Sequence, residues 1–280
     1  LLASGGAQSS GSVPHWNNWN FYEFDFSEVE TMGPVFLRIL IDDTSVDSEI
    51  FQIKENLLVE DTLNDVIHYF KSQRCSDQID RKDRHTEFYG LNKKAVDLSG
   101  GWYDASGDVS KYLSHLSYAN DMNPQQTPIV VWNLAKALDQ TYHRDKLAET
   151  RAQEKLQAEA THGADFLLRC IQDNGAMVMT VFDKWSKDTQ QREACSYSTQ
   201  FGHKHSTWEA GFRQGGGVSI AALARVGRQN WRGEFTSKNY LEGAHKAYLH
   251  LKENNTHYLD DNTHNIIDDY CALLASCELY

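Results

Sequence analysis

The spacing of apolar residues changes near residue 55. Before it, Phe21, Phe24 and Phe26 alternate imperfectly with Tyr22, Glu23 and Asp25, a pattern that fits a half-buried strand. Val35 to Ile41 is a β-rich run behind the turn signal Gly33-Pro34, and Glu49 to Ile53 reads as a third short strand. Residues 1–14 are small and polar and read as a loop or irregular end. From residue 56 the period is helical. Val59, Leu63, Val66 and Phe70 make one apolar stripe. A polar loop spans 76–98. A helix starts behind Pro128 with Ile129, Trp132 and Leu134, since proline suits a first turn. A long charged helix is expected from about Asp145 to Ile171, and further helices near 207–227, 236–254 and 265–280. Gly175 to Phe182 reads as a short strand pair or an extended excursion. None of the 4 prolines follows residue 128, which suits a helical stretch. The pattern alone says mainly α behind a short β segment, with 1–54 and 55–280 as the two regions.

One segment carries chemistry. Asp97 to Asp108 places Asp104 and Asp108 beside Trp102 and Tyr103, among Gly100, Gly101 and Gly107. Carboxylates transfer protons, and aromatic faces suit pyranose rings. Glycine and aspartate are equally the residues of a plain turn. From the residues alone, a polar loop and a carboxylate site both stay open.

The run Gly100 to Asp108 resembles the Gly-Gly-Trp-(Tyr/His)-Asp-Ala-Gly-Asp signature of glycoside hydrolase family 9, the inverting cellulase family. Tyr69 to Cys75, with Gln73-Arg74-Cys75, is similar to the segment closing the first helix of those catalytic domains. Gly215 to Arg225 is similar to a small-residue helix in them. The resemblance implies an (α/α)6 toroid, represented in part by 55–280. It also implies an immunoglobulin-like segment, again partial, in 1–54. By position it makes Asp108 the general base and Asp104 a holder of the attacking water. The general acid of the family is a Glu near the end of its domain, beyond residue 280, so the chain reads as a truncated representation of a longer enzyme.

This sequence departs from the signature in one way: Ala105, Ser106 and Gly107 separate the aspartates where two residues are usual. The longer form, with Val109 to Leu113 and Asn123 to Pro128, resembles a marine bacterial branch of exo-β-D-glucosaminidases. The resemblance therefore implies release of glucosamine from chitosan oligosaccharides. The alternatives are an endo-β-1,4-glucanase and, from another class, a non-catalytic carbohydrate-binding protein. Trp102 and Tyr103 are candidates for stacking on sugar. Tyr112 is a candidate for lining the cleft, and His115 beside it has a structural role as its blander reading.

Charge narrows the partners. With 39 acidic against 27 basic residues the formal charge is −12. Nucleic-acid binders carry basic patches, so that class is excluded, and a cationic oligosaccharide is favoured. No apolar run is long enough to span a membrane. The 5 cysteines lack CxxC spacing and suit reduced thiols, hence a cytoplasmic location. The chain does not begin with Met, so a removed secretion signal stays open. His203 and His205 would share a strand face, as zinc-binding pairs do, but lack a third ligand at a recognisable spacing. They are read as pocket-lining residues instead, and no metal or cofactor is expected. Gly215 to Gly217 lacks the Gly-Lys-Ser/Thr ending of a phosphate loop. Oligomeric state is not legible.

Overall fold

The computed structural model describes residues 1–55, 57–105, 107–115, 125–141 and 152–280. The expected start of the charged helix near Asp145, together with Ser106, Asn123 and Pro124, lies outside the described residues. The chain divides into two compact units, Leu1–Leu63 and Asn64–Tyr280.

The first unit is built from short strands. β1 (Gln8–Ser12) pairs with β2 (Asn20–Glu23), β3 (Gly33–Val35) with β6 (Phe51–Ile53), and β4 (Arg38–Ile41) with β5 (Thr44–Asp47), all antiparallel. A strand thus forms inside 1–14, where a loop was expected. The expected strand 35–41 is two strands with different partners. Leu37 between them gives its N–H to Ser48 Oγ at 2.9 Å, and Arg38 closes the second hairpin onto Asp47 at 2.7 Å. An immunoglobulin-like sandwich closes two sheets over a core. Here the strands form three separate two-stranded ladders, and no described residue of this unit is buried.

The second unit is helical and holds the core. Its first helix is α1 (Leu63–Ser72), which follows a π-helical turn, Leu58–Thr62, at the end of the first unit. The inward face of α1 is Leu63, Ile67 and Phe70, with only Ile67 fully buried; Val66, expected in the stripe, is exposed. The expected polar loop contains α2 (Asp77–Asp83). This helix has no apolar stripe because its inward residue, Asp83, is buried by charge pairing.

α3 (Thr127–Thr141) and α4 (Ala152–Cys170) follow. Then come α5 (Gly217–Arg228), α6 (Ser237–Tyr258) and α7 (Ile266–Leu279). α5 is the hub, packed against α3, α4, α6 and α7. Its residues Ile220 to Ala224 are fully buried, and the three alanines among them let the neighbouring helices approach. Its helical path begins at Phe212, later than the expected 207, through a kinked turn with Gly215 at φ +105°. A Cβ at Gly215 would lie 2.4 Å from Leu113 Cβ, so a close approach selects that glycine rather than any phosphate. Residues 175–182 are extended, with β8 (Thr180–Phe182) between β7 (Lys111–Tyr112) and β9 (Glu193–Ala194) in a three-stranded sheet. β10 (Ser196–Ser198) and β11 (His203–His205) form a hairpin. Among the described residues no helix is long and apolar enough to cross a membrane.

Candidate active site

The loop 97–111 is fixed at both ends before it reaches its aspartates. Tyr103 N–H donates to Gln73 O at 2.8 Å and Cys75 N–H to Gly101 O at 2.9 Å. The two signature segments therefore pair with each other. Glu159 on α4, buried, joins them again. It accepts from Arg74 Nη2 at 2.7 Å and from Trp102 Nε1 at 3.3 Å. Gly101 has φ +72° and lies against Phe166, where a Cβ would meet the ring at 2.9 Å.

Beneath the loop is a buried ion cluster. Asp83 accepts from Lys111 Nζ at 2.7 Å and Arg192 Nε at 2.5 Å, and all three side chains are 1% exposed or less. Lys111 also donates to Leu98 O at 2.5 Å and Gly100 O at 2.9 Å, and Arg192 to Val109 O at 2.7 Å. Charged donors thus hold three loop carbonyls. Burial pushes the Asp83 carboxyl up, but Lys111 and then Arg192 outweigh it, and the net direction is down.

The aspartates flank a tight turn. Ala105 and Asp108 exchange two backbone hydrogen bonds, 3.3 and 3.0 Å long, and Asp104 N–H donates to Ser110 O at 3.1 Å. Gly107 has φ +106°, which favours glycine. Both aspartates stand at the base of this turn. Asp108 Oδ1 accepts from Ser110 N–H and Oδ2 from Tyr112 O–H, each at 2.9 Å. Asp104 faces His115, with Nε2 at 3.1 and 3.2 Å from its two oxygens. His115 Nδ1 lies 3.2 Å from the Tyr197 hydroxyl, and the His115 ring lies 4.4 Å from that of Tyr112. The hydrogen bond to Asp104 raises the His115 pKa; burial opposes, and the charges of Asp104 and Asp108 add to the rise. Two carboxylates, each with a fixed hydrogen-bond donor and partial exposure, can bind a water and take its proton.

The structure brings Asp104, Asp108 and Tyr112 together, with His115 and Tyr197 added. It separates the other candidates. Trp102 is 4% exposed. Its edges meet Phe70 and His162, and a Cβ on Gly163 would lie 2.4 Å from it. It is a core residue with no face left for a sugar, which corrects the stacking expectation. Tyr103 is half-buried, and its hydroxyl accepts from Ser76 N–H at 3.1 Å. His205 pairs with Ser198 Oγ at 2.7 Å and lines an open groove of about 810 Å³ with Tyr89, Tyr197, Lys204 and Asp260. His203, on the same hairpin, is exposed beside Phe201. Neither aspartate lines that groove; only Tyr197 belongs to both places. Among the described residues no three His, Cys, Asp or Glu side chains cluster as a metal site. Asp83, Arg192 and Tyr197 carry no motif in the sequence, while Lys111 stands in the Val109 to Leu113 run.

The sequence model of glycosyl hydrolase family 9 matches residues 60–280. The chain belongs to that family. The (α/α)6 toroid implied by the signature is therefore its fold class. A family 9 glycoside hydrolase of Bacteroides ovatus superposes with a TM-score of 0.61 at 20% identity, covering 100% of this chain and 54% of its own. A metagenome-derived family 9 endoglucanase gives 0.58 at 18% identity, covering 92% and 48%. Endoglucanase J30 gives 0.57 at 17% identity, covering 93% and 51%. The chain spans about half the length of these solved relatives. No curated protein sequence matches it.

Proposed function

We propose that this chain carries the water-activating half of an inverting glycoside hydrolase acting on β-1,4-linked oligosaccharides. The carrying observation is the aspartate pair at the base of one turn, each held by its own donor: Tyr112 for Asp108 and His115 for Asp104. Asp108 is the general base, and Asp104 orients the water. Inversion needs a second carboxyl group across the sugar, about 6.5–9.5 Å away, to protonate the leaving oxygen.

The substrate we favour is a glucosamine oligomer, cleaved from its non-reducing end. Two features support it: the lengthened spacing between the aspartates and the net charge of −12, which suits a polycation. Two structural relatives are endoglucanases, which favours glucose oligomers instead. The deciding experiment is hydrolysis of the glucosamine dimer against cellobiose and longer cello-oligosaccharides by the complete natural protein. Release of glucosamine alone, lost in Asp104→Ala and Asp108→Ala, establishes the first substrate. Cleavage of glucose oligomers makes the protein a glucanase. Binding of either sugar without cleavage leaves a carbohydrate-binding protein.

A further inference from the structure

Trp102 is buried, and the turn after β8 offers an exposed aromatic face instead. Lys184, Trp185 and Lys187 have φ of +62°, +58° and +60°. Bulky side chains rarely adopt this conformation, and strain of this kind gathers at ligand sites. A single buried carboxylate imposes it. Asp183, 1% exposed, accepts from Trp185 N–H at 3.1 Å and Lys187 N–H at 2.8 Å. It also accepts from Ser110 Oγ at 2.9 Å. Ser110 is the residue whose backbone holds Asp108 and Asp104, so turn and aspartate loop share one fastening.

The indole is firmly placed yet open. It meets Phe182 and Tyr197 edge-on at 5.1 and 5.7 Å, and remains 38% exposed. Gly202 of the neighbouring hairpin buttresses it, since a Cβ there would lie 3.0 Å from the ring. Tyr197 in turn reaches His115, which holds Asp104. We propose that Trp185 is the platform on which a pyranose ring of the substrate stacks, one aromatic ring away from the Asp104–His115 pair. This rests on the glycosidase reading above.

The test uses Trp185→Gly and Trp185→Phe in the complete protein, with glucosamine tetramer and cellotetraose as probes. Glycine accepts the positive φ, so the turn is retained while the ring is lost. KM for the hydrolysed tetramer should rise roughly tenfold in Trp185→Gly with kcat little changed, and stay within about threefold in Trp185→Phe. In the Asp108→Asn background the tetramer should shift tryptophan emission, and adding Trp185→Phe should abolish that shift. Turnover with unchanged KM in Trp185→Gly overturns the platform while leaving the glycosidase intact. Retention of the full emission shift without Trp185 overturns it too, even where the glycine variant unfolds. Neither turnover nor an emission shift in the parent protein overturns both readings.

Discussion

Two carboxylate centres share the loop 97–111 and are built by opposite rules. Asp83 is fully buried and faces two permanent cations, Lys111 and Arg192. Asp104 and Asp108 are partly exposed, and their partners are a phenol, an imidazole and a backbone N–H. A buried charge survives only when paired, and removing one member strands the others. An exposed carboxylate needs no such balance and stays free to exchange a proton. The first centre holds the loop; the second uses it.

The largest separation between the centres should appear in rate. Asp108→Ala or Asp104→Ala is expected to lower kcat by about 10²–10⁴-fold, the range for general base catalysis, with the thermal midpoint nearly unchanged. A large fall in midpoint would make these residues structural and dissolve the distinction.

Asp83→Asn should do the reverse. It leaves Lys111 and Arg192 buried without a counter-charge, at a cost of about 3–5 kcal/mol, and lowers the melting temperature by on the order of 10 °C. The pH dependence has a defined sign. A lowered carboxyl pKa contributes stability above the unfolded value of about 3.9, and that contribution is lost as pH falls through the folded value. His162, beside Gly101, adds a second acid-sensitive step. Burial, then Arg74, brings its pKa down to about 4. The neutral ring therefore stabilises the fold above pH 6.5, and this is lost as pH falls from there toward 4. Melting curves between pH 3 and 8 check both. In Asp83→Asn the fall between pH 6.5 and 4 should persist through His162 while the further fall at lower pH disappears, which isolates the share of Asp83.

What could be read from residues follows the same division. The aspartate pair was legible because Gly100 to Asp108 is local and its order is specific. The helices with apolar stripes were legible too. α2 was not, because its inward residue is charged and its burial depends on Lys111 and on Arg192, more than 100 residues away. Trp102 was misjudged because adjacency to a carboxylate does not fix orientation. The bridge to Arg74 and the bond to Glu159 turn the indole inward, while Trp185, remote in sequence, is turned outward. In the first unit, aromatic and β-branched runs mark strands, but not which strands pair.

Tyr112→Phe tests whether the boundary between the centres is sharp. Tyr112 is 1% exposed like a core residue, yet its hydroxyl donates to Asp108. Burial, then Asp108, pushes its pKa up, so it remains a donor at every working pH. Loss of one hydrogen bond to a charged group should lower kcat roughly tenfold, with KM little changed. A drop in melting temperature with full activity would move Tyr112 into the supporting shell.

The smallest expected effect is the most diagnostic. His115 is the one partner in the exposed centre that changes charge near neutral pH. The groups facing it are Asp104 and Asp108 from the loop, Tyr112 from β7 and Tyr197 from β10. Its raised pKa means that its contribution to stability is complete below about pH 6.5 and is lost as pH rises through the folded value. Charged His115 supplies a counter-charge to Asp104 on the side proposed to hold the water. Once His115 is neutral, that counter-charge is lost. The kcat/KM profile should therefore fall a few-fold on its alkaline side, and His115→Gln, which keeps a donor without a titration, should flatten that limb. An unchanged limb in His115→Gln would make the imidazole a ring packed on Tyr112, and the exposed centre would then depend on Tyr112 alone.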